Sequence, residues 1–201
     1  MHATRAAVSL AAMLLCTSPG QGADPTTSPT TQWSASSPSD CWTALGKAIA
    51  AGDRTAVQKL YRPAKKDAPT ARDLLELEQA VTHLNAAARE RWGEPSQLAD
   101  PPSTAIPKLF SGDRHIVVKG DSADSFNSAS GLLPPHRSLV KVDGSWAVDS
   151  LGDRTSRQYQ LMGAGLKRVV DNIAAGKYQS VDEATSEKDE EMAKVRLARV
   201  K

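Results

Sequence analysis

Three histidines are the side chains of this chain best suited to proton transfer near neutral pH: His83, His115 and His136. Acidic partners within plausible reach along the chain are Asp113, Asp149 and Asp153. A His–Asp pair set in an apolar pocket acts as a general base, contributing roughly 10²–10⁴-fold to a rate. No spacing in the sequence fixes such a pair. The candidate catalytic set is therefore His83, His115, His136 and Asp149, and it rests on residue type alone.

Other chemistries find less support. There is no HExxH, HxH or CxxC pattern, so neither a metal site nor a cofactor is expected. No GxSxG nucleophile elbow occurs, and Cys41 stands in no protease-like signature. Gly163-Ala164-Gly165 follows a helix start rather than a strand and lacks a third glycine, which makes it neither a dinucleotide loop nor a P-loop. Trp33, Trp42, Trp92 and Trp146 are too dispersed to form a stacking platform.

The start of the chain carries an address. Met1 to Arg5 is short and basic, Ala6 to Cys16 is uncharged and apolar, and Gln21-Gly22-Ala23 offers small residues before Asp24. That order is the pattern of a secretory signal peptide over residues 1–23, and it predicts a secreted or periplasmic protein. Lipid anchoring at Cys16 is disfavoured, because Leu15 is not the small residue that precedes a lipidated cysteine. The apolar run is shorter than the about 20 residues of a permanent span, and no later segment approaches it, so no integral membrane segment is expected in the mature chain.

The charge balance is close to even, with 25 Lys and Arg against 23 Asp and Glu, and of these only Arg5 falls in the leader. Nucleic acid binding wants clustered positive charge, and none is present. Cys41 is left as the sole cysteine of the mature chain, which excludes an internal disulfide. Spaced helically with Leu45 and Ile49, it reads as a small buried hydrophobe. A homodimer joined through Cys41 or the C-terminal helix is the alternative.

The candidate residues are positioned by an α+β domain. Residues 24–39 are rich in Ser, Thr and Pro and predict a flexible linker. A single domain follows over 40–180, with a charged C-terminal helix or tail over 181–201. Trp42, Leu45 and Ile49 mark a first helix stopped by Gly52, and Asp53 caps a second. Thr70 and Asp73 have the spacing of a capping box, and Leu74, Leu77, Val81, Leu84 and Ala88 form a stripe over about four turns. His83 lies beside that stripe, on the side of Ala80 and Ala87.

Four prolines between 94 and 112 predict a loop, within which Ile106, Leu109 and Phe110 are held down. Strands are expected over 114–119 and 122–127. A hairpin around Asp143-Gly144 should pair Lys141 with Trp146 and Leu139 with Val148. A helix after Asp153 carries Tyr159, Met162, Leu166, Val169 and Ile173 inward, weakened by Gly163 and Gly165 unless something packs close there. Ile49-Ala50-Ala51-Gly52 recurs as Ile173-Ala174-Ala175-Gly176, which marks two helix–Gly–helix corners. The expected fold is thus N-terminal helices packed on a small antiparallel, curved β-sheet, followed by C-terminal helices.

Two stretches carry a resemblance. Ala48-Ile49-Ala50-Ala51-Gly52-Asp53 and Leu139-Val140-Lys141-Val142-Asp143-Gly144-Ser145-Trp146-Ala147-Val148-Asp149 look like segments of NTF2-like proteins, in the SnoaL-like and secreted or lipoprotein branches. The resemblance covers about residues 40–150. It implies a curved sheet wrapped around helices to form a cone with a pocket. It also implies either a binding role or an isomerase- or cyclase-like activity. No catalytic motif of those enzymes maps onto this chain, so no residue role is carried over. The functional expectation is a non-catalytic binding or scaffolding module of the cell envelope, with a protein or small-molecule ligand. The alternative is a small pocket enzyme using a His–Asp general base.

Overall fold

The computed structural model describes residues 33, 35–93, 97–108, 114–127 and 137–198. They form one compact unit of six helices and a four-stranded antiparallel sheet. The chain runs α1 (Pro38–Ala50), α2 (Arg54–Leu60), α3 (Ala71–Trp92), α4 (Pro102–Lys108), then β1 (Arg114–Lys119), β2 (Ser122–Asn127), β3 (Arg137–Val142) and β4 (Ser145–Val148), then α5 (Ser156–Ala174) and α6 (Val181–Leu197). The α+β reading, with helices on both sides of the sheet in sequence, is the fold observed.

Local chemistry explains most boundaries. Ser37 and Asp40 close a capping box on α1, Thr70 and Asp73 one on α3, and Thr155 and Gln158 one on α5. Ser180 caps α6, whose Glu183 reaches one residue further back, to the Gln179 amide. Gly52 and Gly176, both at φ +67°, turn the chain at the two repeated corners, where few other residues sit comfortably. Asp143 and Gly144 both take positive φ, as a type I′ turn requires, and the hairpin has the expected register.

The sheet is a simple meander, β1-β2-β3-β4. Its β4 edge is covered: the Trp146 amide donates to Ala35 O at 3.1 Å, and the Arg62 amide donates to Val148 O at 2.8 Å. Trp146 and Val148 are buried on one face of β4 and Ala147 on the other. The compact unit includes Trp33, within the stretch whose composition reads as linker. The Trp33 indole packs against the core and donates to Asp53 at 3.3 Å.

Two apolar clusters make the core. The first lies under α1, α2 and the hairpin and includes Trp42, Leu45, Val57, Leu60, Leu74, Leu139 and Val148. The second lies among α3, α5 and α6 and includes Leu84, Ala88, Leu98, Leu166, Val169, Ile173 and Ala184. Tyr159 packs against both. Cys41 is fully buried in the first cluster, where its thiol lies 3.3 Å from Trp146 O. Burial pushes that thiol up to about 12. A thiol so placed is a small core residue and cannot bridge to a second chain without unfolding.

The loop expected over 94–112 is corrected in part, because Pro102–Lys108 is helical. Pro102 sits at the first helical position, where its missing N–H would be unsatisfied in any case. Glu78 of α3 completes the cap from outside, accepting from the Ser103 amide at 2.8 Å and the Ser103 hydroxyl at 2.5 Å. Ile106 is buried as expected, and Leu109 and Phe110 lie outside the described residues.

Close approaches separate the helix glycines. A Cβ at Gly46 would lie 2.5 Å from Pro107 Cγ and 2.7 Å from Ser103 O, so α1 and α4 touch through it. A Cβ at Gly165 would meet Glu191 Cβ at 3.1 Å, where α6 crosses α5. Glu191 itself is buried and is held there by Arg168 and by Lys194. A Cβ at Gly163 would meet nothing within 4 Å. Gly46→Ala should therefore destabilise the protein by about 1–3 kcal/mol, while Gly163→Ala should stabilise it by up to about 1 kcal/mol. Urea unfolding of both variants checks the pair, and a Gly46→Ala protein as stable as wild type would contradict the packing.

Candidate functional site

The longest helix and the first helix after the sheet lie side by side. Asp73, at the start of α3, meets Ser156 and Gln160 at the start of α5, and further along Leu77, Ala80 and His83 face Gly163, Lys167 and Asp171 across a shared groove. The helices are therefore parallel, with both N-termini at one end. Parallel helix dipoles place two partial positive charges together there, and an anion stabilises such a site. Asp73 is that anion.

Its carboxylate is buried, yet it accepts four hydrogen bonds. The Thr70 amide donates at 2.8 Å, the Thr70 hydroxyl at 2.9 Å, the Ser156 hydroxyl at 2.7 Å and the Gln160 amide at 3.1 Å. Burial alone would raise its pKa. The bonds from Thr70, Ser156 and Gln160 together outweigh that and hold it below the ordinary value of 3.8. One side chain thus closes the cap of α3 and fastens α5 to it.

Beyond Asp73 the two helices enclose a groove of about 440 Å³. Leu77, Ala80, Tyr159, Gly163, Ala164 and Val170 supply the apolar lining, and Glu76, His83, Lys167 and Asp171 supply polar groups. That volume and a mostly apolar wall with a few polar groups are what small-molecule sites share. The groove exists because small residues face each other: Ala80 on α3, Gly163 and Ala164 on α5.

The polar groups differ in how far they are already engaged. Glu76 pairs with Arg72 at 2.6 Å and Asp171 with Lys167 at 3.1 Å, both as exposed pairs one helical turn apart. His83 is exposed and makes no hydrogen bond or ion pair among the described residues. It is the one candidate histidine that the described structure brings to a cavity, and no carboxylate is bonded to it.

The other candidates fall elsewhere. Asp149 accepts from the Ala64 amide at 2.8 Å and the Ser138 hydroxyl at 3.0 Å, so it ties the loop after α2 to the hairpin. It borders a second cavity of about 340 Å³ with Tyr61, Lys65, Asp67, Asp153 and Arg154. Asp153 pairs at a distance of 3.9 Å with Lys65. His115 lies in β1 opposite Phe126, and nothing is described of its side chain. His136 and Asp113 lie outside the described residues. No group of three or more His, Cys, Asp or Glu side chains suited to a metal occurs among the described residues. No described helix is long and apolar enough to cross a membrane.

Glu76, Gly163, Lys167 and Asp171 did not stand out as site residues in the sequence. The available signal was a mismatch: two glycines weaken α5, and only Gly165 has a packing reason. Comparison with protein-family models, with curated proteins and with solved structures finds no match to this chain.

Replacing Asp73 by Asn should lower stability by about 1–3 kcal/mol at pH 7, since it removes a charged acceptor of four bonds. Because the folded carboxyl titrates below its ordinary value, its contribution is whole above about pH 4 and lost as pH falls further. Thermal unfolding from pH 7 to pH 2.5 should show a shallower acid limb for Asp73→Asn than for wild type, and parallel limbs would contradict this role. Cys41 should stay unlabelled by a thiol reagent in the native protein and react fully in 6 M guanidinium, roughly the range that unfolds stable domains. Rapid native labelling would contradict its burial.

Proposed function

We propose that this protein is a non-catalytic binding module of the cell envelope and that its site is the groove between α3 and α5. One observation carries the reading. Gly163 faces open space in an apolar groove of about 440 Å³, at a helix position where Ala would be more stable. A residue that lowers helix stability and relieves no crowding fits a site kept open for a ligand better than it fits a core.

Export is part of the same proposal. The basic start, the apolar run and the small residues before Asp24 support it, and on this reading the ligand is met outside the cytoplasm. The NTF2-like resemblance is proposed only for residues 40–150. It includes the α3 wall, while the α5 wall belongs to the part of the chain beyond it. The binding reading is preferred to a His–Asp enzyme because His83 reaches the groove without a bonded carboxylate.

Nile red, an uncharged dye that brightens in apolar sites, tests this directly. Wild type should bind it saturably at one site. Gly163→Phe, which projects into the groove from a position where a Cβ meets nothing within 4 Å, should weaken binding at least about tenfold, equivalent to about 1.4 kcal/mol, without loss of thermal stability. Equal dye affinity in Gly163→Phe and wild type, or no saturable binding by wild type, would overturn the proposal.

A further inference from the structure

The polar groups of the groove specify a ligand class. Among the residues that line it, three are acidic, Asp73, Glu76 and Asp171, and one is a fixed base, Lys167. Asp73 is satisfied by its four bonds and turned to structural use. Glu76 and Asp171 are not: among the described residues each pairs with a solvent-exposed cation on its own helix, Arg72 and Lys167. Exposed pairs of this kind are worth about 0.2–1 kcal/mol, so a better-placed cation can take over either carboxylate.

The placement of Asp171 is a second and separate observation. It lies in the last turn of α5, where the helix dipole presents its negative end and an acid is unfavourable. The last turns of α1, α2, α3 and α6 each carry a base, and that of α5 carries none. Near Asp171 the groove therefore carries an acid that its own helix end does not compensate, while the end near Asp73 has its charge and its dipoles already matched. Apolar surface between Tyr159 and Val170 joins the two ends.

We propose that the groove binds an amphiphile with a cationic head, an alkylammonium or guanidinium group, seated at Asp171 with its apolar body along Gly163 and Ala80. The cation displaces Lys167 from Asp171, and the His83 ring flanks it. This inference rests on the groove being the binding site and adds the sign of the ligand.

Competition against bound Nile red separates the two ideas. The probes are decyltrimethylammonium, decanoate and decyl maltoside, each below its micelle concentration at pH 7.5. The cationic probe should compete at least about tenfold more strongly than decanoate, with the maltoside between them. The variant Asp171→Asn with Glu76→Gln, both exposed positions, should remove the cation's advantage and bring cation and anion within about threefold. Decanoate competing as well as the cation, or a preference surviving in the double variant, would overturn the ligand class. In that event Gly163-dependent competition by the maltoside would still leave the groove as the site, whereas competition indifferent to Gly163→Phe would sink the site itself.

Discussion

A single buried carboxylate sets the geometry of this protein's helical half. Two helices distant in sequence start at the same place and run in the same direction, an arrangement that crowds their unsatisfied amide groups and positive dipole ends. Asp73 resolves the crowding. It sits at the third position of α3, where it closes that helix's cap, and it takes the Ser156 hydroxyl and the Gln160 amide from α5. Without a charge there, the two positive helix ends would stand unmatched, and Thr70, Ser156 and Gln160 would lose the acceptor they share. The desolvation of Asp73 and its hydrogen bonds are two sides of one arrangement, and its depressed pKa shows which side prevails.

The groove is a consequence of that fastening. Helices pinned at one end and packed through Leu84, Val169 and Ile173 further along are held at a fixed separation, whatever lies between. Large side chains between them would give a closed core. This chain places Ala80, Gly163 and Ala164 there instead, so a channel remains. On the far side of α5 the same helix is closed by α6, where Gly165 lets the buried Glu191 approach and Arg168 and Lys194 neutralise it. The contrast between two glycines two residues apart is the contrast between a packed face and an open one.

Much of the fold was legible because its signals are local. Apolar periodicity, the Thr70 and Asp73 cap, the Asp143-Gly144 turn and the two Gly corners each act within a few residues. They marked five of the helices and the strand pairing. α4 was not legible, because what makes Pro102–Lys108 helical is a cap supplied by Glu78 from another helix and a contact across Gly46. For the same reason the sequence shows Asp73 as a cap of α3 but not as the link to α5, since Ser156 lies 83 positions away. His83 stands out by its chemistry, and it does reach the cavity. Asp149 stands out on the same ground, and it is engaged by the Ala64 amide and the Ser138 hydroxyl in holding a loop to the sheet. Residue type names candidates; only the pairing of α3 with α5 says which of them face a common space.

The central claim is that the space between α3 and α5 is where this protein meets its ligand. The most direct measurement is an amide chemical-shift map of the labelled protein titrated with decyltrimethylammonium. The amides of Leu77, Ala80, Gly163, Ala164 and Lys167 should move together along one saturable curve, with those of α1 and β4 unmoved. Stationary groove amides while another surface shifts would contradict the account.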